Sequence, residues 1–142
     1  MAKPPQEKTR ILIADDHPPF AYGLSKLLTE QPDMEPVGIA SDGEEAVKLA
    51  NELKPDVVVM DISMPKVNGI EATREIVEHL EGTYVIGLSL HDEADLGQVI
   101  RDAGAVTYLQ KDAASTGLIR AIREHCDPES SKEVGSGPEG ET

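Results

Sequence analysis

Ile11-Leu12-Ile13-Ala14 runs directly into Asp15-Asp16, and Val57-Val58-Val59-Met60 runs directly into Asp61. Each apolar run is short, uninterrupted and rich in β-branched residues, which is the pattern of a strand buried on both faces of a parallel sheet. In an open α/β sheet the ligand crevice lies beyond the carboxyl ends of the strands. Acids that close two such strands can therefore converge on one point. Three converging carboxylates repel one another unless a cation or a proton relieves them, and hard oxygen ligands suit Mg²⁺. The spacing predicts an acidic, cation-binding pocket.

The same alternation extends outward from these two runs. A strand over 10–14 precedes a helix that starts near Pro18-Pro19, where proline suits the first turn, with Phe20, Leu24, Leu27 and Leu28 as its stripe. A second strand spans Met34–Ala40, and Ser41-Asp42-Gly43-Glu44 supplies helix-start chemistry for a stripe of Ala46, Val47, Leu49, Ala50 and Leu53 that Pro55 ends. After the strand at 57–60 and a loop over 61–68, Ile70, Ile76, Val77 and Leu80 pattern the third helix. A strand at 84–88 follows, then a helix over 93–103 with Leu96, Val99 and Ile100 inward, broken by Gly104. A fifth strand at 106–109 and a helix over Ala114–Cys126 complete the series. Five strand–helix units predict one α/β domain, a doubly wound parallel sheet with helices on both faces.

Residues 1–8 are polar and proline-bearing and are expected to be disordered, 9–126 to form the folded domain, and 127–142, rich in Gly, Ser, Pro and Glu, to be a flexible acidic linker or tail. The chain of 142 residues is long enough for a full core. Its 13 Lys+Arg against 27 Asp+Glu give a formal charge of −14, with no Trp and one Phe, which argues against direct binding to nucleic acid or an anionic membrane. The lone Cys126 excludes an internal disulfide and reads as a small buried hydrophobe in the last helix. The first residues show no apolar secretory core, and no apolar run approaches the ~20 residues that span a bilayer. A cytoplasmic address is expected.

Read strand by strand, the carboxyl ends deliver Asp15 and Asp16, then Asp61, then Ser89, then Lys111. Singly these are caps, turn residues and a solvated charge. Together they place three acids, a hydroxyl and an ammonium around one crevice, which is equipment for handling a phosphoryl group with a divalent ion.

In that combination the segments ILIADDH, VVVMDISMPKVNGIEA, VIGLSLHD and TYLQKD resemble the receiver (response-regulator) domain of two-component signalling, over about 9–126. The resemblance implies a flavodoxin-like sheet of order 2-1-3-4-5 with five helices. DDH and DISMPKVNGIEA look most like the subfamily whose receivers precede a helix-turn-helix domain of the NarL/LuxR type. By that resemblance Asp61 is the phosphoacceptor, Asp15 and Asp16 hold Mg²⁺ with Asp61, and the backbone carbonyl of Ser63 adds a further metal ligand. Lys111 pairs with the acceptor carboxylate and later with a phosphoryl oxygen, Ser89 bonds the phosphoryl group, and Tyr108 is the aromatic switch. Met64-Pro65 and Asn68-Gly69 match the loop that closes below the site, and a glycine there is expected to serve a positive φ. His17 and His91 are expected to be solvent-exposed beside the pocket rather than metal ligands.

The family pattern is departed from at Thr107, where glycine is common, at Gln110, and at Gly87, where a larger aliphatic would be expected to pack better. The implied partners are a sensor histidine kinase or phosphotransfer protein, and a homodimer formed on phosphorylation. The protein is expected to act as a signalling phosphoacceptor that promotes only its own phosphorylation and dephosphorylation, not as an enzyme. It would switch a downstream transcriptional effector, with a stand-alone receiver acting on a protein partner as the alternative. A Mg²⁺-dependent phosphatase of the haloacid-dehalogenase type would want a DxD pattern on the first strand, and a constitutive docking surface would be expected to lose the acids or Lys111; neither fits.

Overall fold

The alternation of apolar runs and amphipathic stripes resolves into β1 (Thr9–Ala14), α1 (Pro18–Thr29), β2 (Met34–Ala40), α2 (Gly43–Leu53), β3 (Val57–Asp61), α3 (Gly69–His79), β4 (Tyr84–Ser89), α4 (Ala94–Asp102), β5 (Thr107–Gln110), a 3-10 turn at Lys111–Ala113, and α5 (Ala114–Cys126). The computed structural model describes residues 8–62, 68–89 and 94–126, with the backbone alone at 94–96 and 126. The strands form one parallel sheet in the order β2-β1-β3-β4-β5. That is the flavodoxin-like arrangement the motifs imply, with helices on both faces because every parallel crossover must return over the sheet.

Period-two alternation divides the strand side chains between two cores. Ile11, Ile13, Val57, Val59, Ile86 and Leu88 point to the face covered by α1 and α5, where they meet Leu24, Leu28, Leu118 and Ile122. Leu12, Ala14, Val58, Met60 and Val85 point to the other face, where α2, α3 and α4 contribute Ala46, Ala50, Ala72, Ile76 and Ile100. The central strand β3 is buried at all five residues, so its closing acid, Asp61, is carried into the interior with it.

Local chemistry fixes the helix starts. Asp42 caps α2 by accepting the Glu45 N–H at 2.8 Å, while Glu45 reaches back to the Ser41 N–H at 2.8 Å, a reciprocal cap. Asn68 caps α3 by accepting the Glu71 N–H at 2.9 Å. Along β1 and β2 the register shifts between Ile11, opposite Pro36, and Leu12, opposite Gly38, which leaves Val37 as the extra residue of a bulge.

Two packing expectations are corrected. Val99 does not point inward but is 41% exposed, because α4 turns Gly97 and Ile100 toward the sheet instead. Gly87 is not a weak spot in β4: a Cβ there would lie 2.9 Å from Ile100 Cγ1, so the Ile100 side chain already fills the space a larger residue would take. The side chain of Cys126 lies outside the described residues.

Candidate functional site

Strand register brings the expected groups together. Asp61 pairs with Leu88, so Ser89 stands one residue further along β4; Ser89 pairs with Gln110, so Lys111 stands one residue further along β5. Lys111 therefore opens the 3-10 turn rather than closing the strand. On the other side of β3, Asp15 follows Ala14, and its N–H bonds the Ala40 carbonyl at 2.9 Å, which extends the sheet pairing by one residue.

One carboxylate oxygen from each of Asp15, Asp16 and Asp61 lies within 4.8 Å of the others. Asp15 and Asp61 are buried, at 1% and 2% exposure, and Ser89 is buried beside them. Asp16 is exposed and forms the solvent side of the cluster. Lys111 Nζ sits 2.8 Å from Asp15 Oδ2 and 3.2 Å from Asp61 Oδ2, with only 10% of its side chain exposed. Burial alone would lower the Lys111 pKa, but its contacts with Asp15 and Asp61 outweigh that and raise it. Lys111 is thus a permanent cation at neutral pH.

Three carboxylates against one ammonium leave the cluster with an excess of negative charge. Asp15 Oδ1 accepts the His17 N–H at 2.8 Å, which orients the carboxylate; Asp15 Oδ2 is fully buried and makes no aligned hydrogen bond, its contact with Lys111 being one of charge. A buried, under-coordinated carboxylate oxygen beside two other acids fits a hard divalent ion such as Mg²⁺. His17 is exposed at the N-cap of α1 and contributes its backbone, not its ring.

Below the cluster, Gly69 begins α3 hard against the end of β3. A Cβ on Gly69 would come within 2.3 Å of both the Asp61 carbonyl oxygen and Ile62 Cα. The expectation that a glycine here serves a positive φ is corrected, since the glycines with positive φ among the described residues are Gly82 and Gly104. Close approach of two backbones is the reason, the other use of a missing Cβ. Ser63, expected to offer a carbonyl to the metal, lies outside the described residues, as do Met64, Pro65 and His91.

Tyr108 does not join the cluster. It projects from β5, opposite Gly87, to the other face of the sheet, where it packs half-buried against the α2–α3–α4 core. Its ring lies on Gly97 of α4, where a Cβ would stand 2.3 Å from Tyr108 Cε1, and the Arg101 guanidinium sits 5.3 Å from the ring centroid. Sequence reasoning overlooked Gly97 and Arg101, although a glycine inside a helical stripe is itself a signal, since it weakens the helix by about 1 kcal/mol relative to alanine. It also took Phe20 only as part of the α1 stripe, whereas the ring faces Lys111 Nζ, 4.8 Å from the centroid.

A family model described as the response regulator receiver domain matches residues 11–123. The transcriptional regulatory protein DegU of Brevibacillus brevis is 40% identical over 83% of this chain and 50% of its own length. The transcriptional regulatory protein LiaR of Bacillus subtilis (strain 168) is 42% identical over 80% of this chain and 54% of its own. The chain thus spans about half the length of these curated relatives. Among solved structures, a two-component response regulator of the LuxR family from Aurantimonas sp. SI85-9A1 superposes with a TM-score of 0.79 at 30% identity, covering 92% of this chain and 97% of that one. With the sheet order, the strand-end acids and these matches in agreement, the chain belongs to the response regulator receiver domains of two-component systems.

Proposed function

We propose that this receiver accepts a phosphoryl group on Asp61, in a Mg²⁺-dependent reaction, from a sensor histidine kinase or a phosphotransfer protein. The observation that carries the reading is the bridge made by Lys111, whose ammonium touches Asp15 and Asp61 at once inside the acidic cluster. Phosphoryl transfer depends mainly on positioning and on neutralising charge. An Asp61 carboxylate oxygen attacks phosphorus, a P–O bond forms as the P–N bond of the donor phosphohistidine breaks, and the imidazole leaves with a proton from solvent. Lys111 keeps Asp61 ionised and then pairs with a phosphoryl oxygen, and the Ser89 hydroxyl donates to another.

Asp15, Asp16, Asp61 and the Ser63 carbonyl are the groups that would hold Mg²⁺. When bound, the ion supplies further neutralisation of the phosphoryl oxygens. No separate substrate is turned over, so the chain is a signalling phosphoacceptor and not an enzyme in the usual sense.

We further propose that the phosphorylated state is read through Ser89 and Tyr108, in a larger regulator whose effector binds DNA; the DegU and LiaR relatives are named as transcriptional regulatory proteins. This chain itself is not expected to bind DNA or a membrane surface: its charge of −14 opposes both. Among the described residues no helix is long and apolar enough to cross a membrane.

Mass spectrometry after incubation with acetyl phosphate and Mg²⁺ tests the central claim. One phosphate is expected on the wild-type chain and none on Asp61→Asn. A phosphate retained in full by Asp61→Asn would overturn the assignment.

A further inference from the structure

Phe20 is the one phenylalanine of the chain. It stands in the first turns of α1, and its ring centroid lies 4.8 Å from Nζ of Lys111, within the range of about 6 Å over which a ring face attracts a cation. The ammonium is therefore met by Asp15 Oδ2 at 2.8 Å, by Asp61 Oδ2 at 3.2 Å and by an aromatic ring. Such contacts are strongest where the cation is removed from water, and the Lys111 side chain is 10% exposed.

The two acids anchor the charge, and the ring adds a third contact, from α1. The lysine stem has four flexible carbons and its charge is a point that can turn in any direction. Asp61 Oδ2 accepts a hydrogen bond from the ammonium at 3.2 Å, and Asp15 Oδ2 attracts it from 2.8 Å. Next to the ring, between α1 and α5, an open cavity of about 300 Å³ is bordered by Pro19, Leu24, Leu27, Ser115 and Lys111 itself. That cavity is room into which an unguided lysine could swing.

We infer that Phe20 is a positioning residue: its ring face holds the Lys111 ammonium at the Asp15–Asp61 junction and keeps it out of the α1–α5 cavity. This rests on Asp61 as phosphoacceptor, and it adds to that reading a residue from outside the strand ends. A packing role predicts something different. Leucine at position 20 keeps apolar volume but has no π face, whereas tyrosine keeps the face.

The test uses the full chain with two measurements. In NMR, the Lys111 Hε protons should show an upfield ring-current shift in the wild type, lose it in Phe20→Leu and keep it in Phe20→Tyr. With acetyl phosphate and Mg²⁺, phosphorylation should slow by about 3- to 10-fold in Phe20→Leu and return close to the wild-type rate in Phe20→Tyr. Circular dichroism checks that each variant folds, and Phe20→Met serves as the apolar replacement if the leucine variant does not.

Identical Lys111 Hε shifts in wild type and Phe20→Leu would overturn the inference. So would an unchanged rate in Phe20→Leu, or equal slowing in the leucine and tyrosine variants. If the wild type takes no phosphate on Asp61, the phosphoacceptor reading fails instead, and the ring-current measurement still decides whether Phe20 holds Lys111.

Discussion

Lys111 and Arg101 each face an aromatic ring, on opposite faces of the same sheet, and the two contacts hold opposite partners in place. At the acidic cluster the cation is fixed: Lys111 is nearly buried, bound by two carboxylates, and flanked by Phe20 at 4.8 Å. At β5 the ring is what is held: Tyr108 lies on Gly97 under an exposed Arg101 at 5.3 Å. A cation–π contact is worth about 0.5–1 kcal/mol when exposed and about 2 kcal/mol or more when desolvated. The chemical end is thus held by several strong restraints, and the proposed relay end by a missing Cβ and a weak surface cation. A conformational equilibrium can be shifted only by groups that differ in energy between its states. A ring held by about 1 kcal/mol is a better moving part than an ammonium held by two buried carboxylates.

The same glycine-to-alanine change, made at each end, tests that contrast. Gly69→Ala should cost about 3 kcal/mol or more by urea denaturation, because the new Cβ meets the backbone of Asp61 and Ile62, which cannot step aside. Lys111→Ala should cost about 3 kcal/mol in metal-free buffer, since it leaves Asp15 and Asp61 buried without their cation, and Mg²⁺ should restore part of the loss. Failure of Mg²⁺ to raise its midpoint would count against the acids as a cation site.

Gly97→Ala should cost only about 1 kcal/mol, because what it meets is the far end of a rotatable ring. Its larger effect should appear in the Tyr108 ring resonances. A cost equal to that of Gly69→Ala would mean the ring is as fixed as the backbone, and the contrast would fail.

The smallest effect sets the scale for an exposed cation. Arg123 binds Asp33 at 2.9 Å with both side chains about half exposed, so Arg123→Ala should cost at most about 0.5 kcal/mol at pH 7. The hydrogen bond from Arg123 holds the Asp33 carboxyl below its ordinary value of 3.8. A depressed carboxyl pKa stabilises the fold above the unfolded value and loses that effect as pH falls through the folded one. The difference between Arg123→Ala and wild type should therefore fade below pH 3.8, as followed by denaturation at a series of pH values.

Much of the fold could be read from period and punctuation alone. Met34–Ala40 and Ala114–Cys126 have the bounds their patterns predict, and the acids at 15, 16 and 61 meet because strand ends in such a sheet must. What escaped reading lies between elements. Gly87 looks like a defect until Ile100, thirteen residues later, is seen to fill its place. Val99 fits the α4 stripe, yet the helix is rotated to offer Gly97 to Tyr108. Gly69 suggests a strained turn but marks two backbones in contact. Each is a choice of volume shared by two distant residues, and a periodic pattern within one element carries no record of its partner.

The bulge at Val37 has a consequence for how copies of this domain meet. An outer strand with free N–H and C=O groups is a template for another chain. On β2 that template is spoiled, because Pro36 has no N–H to donate and the extra residue bends the ladder beside it. On the opposite margin β5 is only four residues long. An incoming strand meets an interrupted ladder on β2 and only four residues on β5, so both margins disfavour growth of the sheet from molecule to molecule.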